Sequence, residues 1–118
     1  MKILVVEDHA FLADITCMTL REMHGHEVEH AATAAAALAA AAERTFDITL
    51  LDIGLPDEDG YQLAAKLRKL PHLGSMIIVA VTGVGSEVDP DKAATAGIDA
   101  SFEKPMDFKL LPELRRMT

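Results

Sequence analysis

A chain of 118 residues, half of them hydrophobic, has room for one ordinary domain with one real core, so a single unit over 1–118 is expected. Eleven basic against nineteen acidic side chains leave a formal net charge of −8, which opposes direct binding to nucleic acid or to an anionic membrane surface. The lone cysteine, Cys17, excludes an internal disulfide, the apolar start KILVV is too short for a signal peptide, and no apolar stretch approaches the roughly 20 residues that cross a bilayer. A cytoplasmic protein is expected.

Short apolar runs alternate with segments of helical period, the pattern of strand–helix repeats around a parallel sheet. The first strand is KILVV (2–6), followed at once by two acids, Glu7 and Asp8. The next segment predicts a helix with Leu12, Ile15, Leu20 and Met23 inward, Thr16 and Thr19 on the same face, and Gly25 as its stop. EVEHA (27–31) is the second strand. An alanine-rich helix over 33–44 follows, with Thr33 as N-cap. The third strand, DITLL (47–51), ends in Asp52, and after the turn GLPDEDG a helix turns Leu63, Ala64 and Leu67 inward. MIIVAV (76–81) is the fourth strand and ends in Thr82. Beyond the loop GVGSEVD a weaker helix starts at Asp89 and Pro90 and stops at Gly97. The last strand, ASFE (100–103), ends in Lys104 and Pro105. Asp107 caps a terminal helix with Leu111, Leu114 and Met117 inward, although Pro112 removes one of its backbone hydrogen bonds.

Strands covered by helices on both faces read as continuous apolar runs, whereas edge strands keep polar positions. The first and fourth strands and most of the third are of the first kind; EVEHA and ASFE belong at the edges. The expected fold is therefore α/β, a doubly wound five-stranded parallel sheet in the order 2-1-3-4-5 with helices on both faces and right-handed crossovers. Its ligand crevice lies outside the carboxyl ends of strands 1 and 3, where the winding reverses.

Every unusual polar group directly follows a strand and so falls at that same rim. Glu7 and Asp8 follow strand 1, Asp52 strand 3, Thr82 strand 4 and Lys104 strand 5. Alone, each has a plain explanation as a turn residue, a β-branched packing residue or an edge-strand charge. Their joint placement does not. Three clustered carboxylates favour a hard divalent cation such as Mg²⁺, and a lysine opposite them supplies a point charge for an anion.

The motifs VVED at the start, DIGLPDEDG (52–60), VTG (81–83) and the Lys104-Pro105 pair resemble the receiver domain of two-component response regulators, including the stand-alone chemotaxis-type receivers, over essentially the whole chain. The resemblance implies a flavodoxin-like fold and a signalling phosphoacceptor rather than a turnover enzyme. Asp52 would accept a phosphoryl group from a histidine kinase or phosphotransfer protein. Asp8, Asp52 and the backbone carbonyl of Gly54 would hold Mg²⁺, Glu7 would assist through water, and Thr82 and Lys104 would contact the phosphoryl oxygens. Lys104-Pro105 would be a cis peptide bond. The implied partners are that phosphodonor and a downstream protein target, with the chain itself a monomer or weak dimer. The chain ends within or just after the fifth helix, so it would be either a stand-alone receiver or part of a longer regulator.

One position departs from the family pattern: three residues before the lysine, where most receivers carry an aromatic ring, stands Ser101. Phe102 does not replace it simply, because adjacent strand residues point to opposite faces. The weak helix start and two glycines after Thr82 then make the loop 83–89 the expected place of change on phosphorylation. His9 is expected at the site rim, and His24 and His26 as surface residues rather than a metal site. Two alternatives remain at this point. A receiver fold used only as a protein-binding module would not need Asp52, Thr82 and Lys104; an aspartyl-phosphate hydrolase would carry its nucleophile after the first strand. A flavin-binding flavodoxin is weaker, since EDHAF lacks a phosphate cradle.

Overall fold

In the computed structural model the described residues are 1–83 and 88–104. The expected terminal helix with Asp107, Leu111, Leu114 and Met117, the Lys104-Pro105 bond and the middle of the 83–89 loop lie outside them.

The elements in chain order are β1 (Lys2–Val6), α1 (Ala10–Glu22), β2 (Glu27–Ala31), α2 (Ala34–Glu43), β3 (Ile48–Asp52), α3 (Gly60–Arg68), β4 (Ile77–Thr82), α4 (Pro90–Ala96) and β5 (Ala100–Glu103), with one 3₁₀ turn at Pro71–Leu73. The five strands form one parallel sheet in the order β2-β1-β3-β4-β5, as the strand compositions predict. Strand ends match the expected ones to within a residue. Asp52 and Thr82 are the last residues of β3 and β4 rather than the first beyond them.

Local chemistry explains where the helices begin and stop. The Thr33 hydroxyl accepts the Ala36 N–H at 3.1 Å, and the Asp59 carboxylate that of Gln62 at 2.8 Å, each satisfying a donor the first helical turn leaves open. Gly97 ends α4 at φ +84°, and Gly25 lies just past α1 at φ +70°, both in the left-handed region that costs glycine nothing.

The sheet separates two apolar clusters. On one face Leu4, Val6, Leu51 and Ile78 pack against Ala34, Ala37 and Ala41 of α2 and Leu63, Ala64 and Leu67 of α3, with Ala96 of α4. On the other, Ile3, Val5, Ile48, Leu50, Ile77 and Val79 pack against Cys17 and Leu20 of α1. Each fully buried leucine or isoleucine contributes about 1.5–3 kcal/mol over an exposed one, which makes these two layers the main source of stability. The clamp at Arg68 ties α3 to the far end of β4: its Nε donates to the Gly97 carbonyl at 2.9 Å, its guanidinium reaches the Met76 carbonyl, and it pairs with Asp99.

The expected inward stripe of α1 holds at Leu20 and is corrected elsewhere. Ala13, Cys17 and Leu20 face the sheet, whereas Leu12, Ile15 and Met23 are 39%, 42% and 76% exposed. Small residues win the contact because they let the helix sit close to a sheet already filled by valine and isoleucine. α1 is thus apolar on two sides. Phe11, Ile15 and Met18, at i, i+4 and i+7, form an outward stripe.

Candidate functional site

The site stands at the carboxyl ends of β1, β3, β4 and β5. Glu7 follows directly on β1, and its main chain is tied to β2: its N–H donates to the Ala31 carbonyl at 3.1 Å, and its own carbonyl accepts from His30 Nε2 at 2.7 Å. That second bond puts the proton of the neutral imidazole on Nε2. Asp8 comes next and is exposed; His9, at the rim as expected, caps α1, its Nδ1 accepting the Leu12 N–H at 3.3 Å. Asp52 ends β3 one strand over, half-buried, and its Oδ1 accepts the Gly54 N–H at 3.0 Å. Ligand atoms of Glu7, Asp8 and Asp52 all lie within 4.8 Å of one another.

Lys104 closes the group from β5. Its Nζ is 3.1 Å from both oxygens of Glu7 and 3.4 Å from Asp52 Oδ2. Its N–H donates to the Thr82 carbonyl at 2.7 Å, which fixes where the lysine leaves the sheet. Thr82 itself is buried and lies one residue beyond the Asp52–Val81 register pair, beside the acids at the strand end.

Burial decides how the charges settle. Glu7, 5% exposed, has its carboxyl pushed up to about 7, first by desolvation and then by its hydrogen bond to Asp52, with Lys104 only partly opposing. Burial also raises Asp52, but the bond from Glu7, the Gly54 N–H and the Lys104 charge outweigh it and hold that carboxyl below its ordinary value. Lys104 is held above its ordinary value because its two carboxylate partners outweigh its own desolvation. Two acids therefore share one proton and one ammonium. Such a group has strong reason to exchange the proton for a divalent cation, and the oxygen-only donor set suits Mg²⁺ rather than zinc or copper.

The turn between β3 and α3 is braced in ways its residue types alone do not reveal. The Asp57 carboxylate accepts the N–H groups of Ala34 and Ala35 at 2.9 and 3.0 Å, joining the turn to the start of α2, and these bonds hold its pKa down. Glu58 pairs with Lys66 at 2.6 Å. Tyr61 accepts the Asp89 N–H at 2.9 Å, joining the same segment to α4. The run of acids in GLPDEDG is the available signal, but their partners are backbone donors on other elements. His24 and His26 stack with ring centroids 6.3 Å apart beyond α1, away from the acids.

Fold and rim together define a flavodoxin-like α/β protein with an acid–lysine cluster at the point where the winding of the sheet reverses. The chain belongs to the response regulator receiver domain family, whose model matches residues 3–115. Among its relatives, the transcriptional regulatory protein PhoP of Escherichia coli O157:H7 is 35% identical over 109 residues, 92% of this chain and 48% of that protein. The DNA-binding dual master transcriptional regulator RpaA of Synechocystis is 27% identical over 92% of this chain and 44% of its own length. The chain spans about half the length or less of these curated relatives. A CheY-like receiver domain protein from Methanospirillum hungatei superposes with a TM-score of 0.84 at 37% identity, covering 98% of this chain and 91% of that one. A response regulator from Burkholderia pseudomallei, solved with a phosphorylated aspartic acid, calcium ion and citrate, gives 0.84 at 26% identity over 96% of this chain and 65% of that one. Receiver domains of two-component systems bind Mg²⁺ and are phosphorylated as a general property, and the acids at this rim are a set that could hold the metal.

Proposed function

We propose that residues 1–118 act as a receiver that takes a phosphoryl group onto Asp52 from a histidine kinase or phosphotransfer protein. The observation that carries the reading is the convergence of Lys104 Nζ on both Glu7 and Asp52 beside Asp8, four ionisable side chains contributed by three different strand ends. Asp8, Asp52 and the carbonyl of Gly54 would hold Mg²⁺, with Glu7 assisting through water. The metal, when bound, supplies positive charge for the transferring oxygens.

An Asp52 carboxylate oxygen attacks phosphorus and an acyl phosphate forms. From phosphohistidine the P–N bond breaks and the imidazole leaves; from acetyl phosphate the P–O bond breaks and acetate leaves. The attacking group is already ionised, so no general base is needed, and its depressed pKa keeps it so at neutral pH. Lys104 would receive the phosphoryl oxygens by charge and Thr82 by its hydroxyl. The product adds about −1.5 to −2 charges to an acidic rim, and that change is the signal. The Burkholderia pseudomallei relative with its phosphorylated aspartic acid supports this chemistry on the same fold.

The phosphodonor would approach along α1. The helix starts two residues after Asp8, and its outward stripe of Phe11, Ile15 and Met18 offers an apolar face to a helical partner. The downstream target would be a protein rather than nucleic acid bound directly, given the net charge of −8.

Intact-mass measurement with Mg²⁺ and acetyl phosphate tests the reading. One phosphoryl adduct is expected, lost on chelation and in Asp52→Asn. An adduct at wild-type level in Asp52→Asn would reject Asp52, and no adduct in the wild type would favour the protein-binding module that needs no phosphorylation.

A further inference from the structure

The Tyr61 ring meets α4 twice. Its hydroxyl oxygen accepts the Asp89 N–H at 2.9 Å, and Lys92 Nζ lies over its face, 5.8 Å from the centroid. Asp89 is the residue that starts α4: its carboxylate accepts the N–H groups of Asp91 and Lys92 at 2.9 and 3.3 Å. One phenol therefore holds the N-cap of the next helix.

At its other end Tyr61 is locked to the main chain beside Asp52. The preceding residue, Gly60, donates its N–H to the Ile53 carbonyl at 2.8 Å, and the packing there is so close that an added Cβ would sit 2.7 Å from Ile53 Cα. A displacement at 52–53 has no slack to absorb it before Tyr61. Among the described residues, the tie from Tyr61 to Asp89 is the hydrogen bond from another helix to the first turn of α4. That helix, α4, is seven residues long and buries only Ala96, and a helix of that length is marginal alone. The sheet edge supplies no ring for this task at 101, because Ser101 is exposed and Phe102 packs with the cluster of Val79 and Val81.

We propose that Tyr61 is a latch coupling the state of Asp52 to the first turn of α4. With Asp52 unmodified, the hydroxyl holds Asp89 and the helix start. When the site is loaded, movement of the 52–61 main chain withdraws the hydroxyl, and the start of α4 is released. The inference rests on Asp52 being the phosphoacceptor.

Tyr61→Phe keeps the ring and its contact with Lys92 while removing the hydroxyl. Amide exchange over 88–96 is followed in wild type and variant, with Mg²⁺ alone and with Mg²⁺ and beryllofluoride, a phosphoryl mimic; Asp52 labelling by acetyl phosphate is measured in parallel. With Mg²⁺ alone the variant is expected to exchange about fivefold faster at 88–96, the loss of one ordinary hydrogen bond. Beryllofluoride accelerates 88–96 in the wild type and adds little in the variant, while Asp52 labels at the same rate in both. Equal exchange with Mg²⁺ alone, an undiminished beryllofluoride response in the variant, or a uniform rise that includes β1 and β3 overturns the latch. Absence of both label and beryllofluoride response in the wild type overturns the phosphoacceptor reading and the coupling together; normal labelling with no difference between the two proteins overturns the latch alone.

Discussion

Gly60→Ala adds a single methyl group within reach of the acid rim, and the structure sets two opposing effects against each other. The new Cβ would lie 2.7 Å from Ile53 Cα, 2.9 Å from Ile53 Cδ1 and 3.1 Å from the Asp52 carbonyl oxygen. The Cδ1 can rotate away; the Cα and carbonyl cannot move without shifting the main chain at Asp52 itself. Alanine in a helix is favoured over glycine by about 0.5–1 kcal/mol, and less than that at the first helical position. Overfilling a packed contact costs about 1–3 kcal/mol, and separating Gly60 from Ile53 also weakens their 2.8 Å hydrogen bond. The steric effect wins. A net loss of about 1–2 kcal/mol is expected, which for a chain of 118 residues lowers the melting temperature by about 4–10 °C. Thermal melts read the stability, and intact-mass labelling by acetyl phosphate reads the position of Asp52, which is expected to label more slowly. A variant that melts at or above the wild-type temperature would refute the reasoning, since it would mean the backbone has room at this approach.

Asp8→Ala is expected to lose Mg²⁺ affinity and labelling while remaining as stable as the wild type or more so, because it removes one of three neighbouring like charges; metal titration and melts check both. In chelator, Glu7 makes stability fall as pH rises: its carboxyl is lifted from 4.5 to about 7, so its contribution is full below its ordinary value and is lost as pH climbs through 7. Asp52, held low, acts at more acid pH, and Lys104, held high, at more alkaline pH, so between pH 5 and 8 the difference between wild type and Glu7→Gln isolates Glu7, on the order of 2 kcal/mol by denaturant titration. A difference that does not change with pH would count against the shared proton. Arg68→Ala is expected to cost about 2–3 kcal/mol by leaving the Gly97 and Met76 carbonyls and Asp99 without their common donor; Arg68→Lys should restore little, because one ammonium cannot span the three.

The strands and their terminal polar groups were legible because each strand is a compact apolar run broken by a polar side chain: KILVV against Glu7, ITLL against Asp52, IIVAV against Thr82. Polar positions in EVEHA and ASFE likewise placed the two edges. α1 was misread because apolar residues lie all round it, and periodicity cannot tell a core stripe of Ala13, Cys17 and Leu20 from an outward one of Phe11, Ile15 and Met18 when the outward residues are larger. The braces of the 52–60 turn were hidden for another reason. Asp57 binds the main-chain N–H groups of two alanines and Tyr61 that of Asp89, and a backbone donor leaves no mark in the residue types.

The ion pair that completes the rim joins residues 97 positions apart, Glu7 near the start of the chain and Lys104 at the end of β5. During synthesis the acids of β1 and β3 therefore emerge long before the ammonium that offsets them. Until residue 104 has left the ribosome, a nascent chain carries Glu7, Asp8 and Asp52 without that partner, and closing so long a loop is the slowest kind of contact to form. The acid rim is thus completed only with nearly the whole domain, and a chain cut short before residue 104 lacks the ammonium that offsets Glu7 and Asp52.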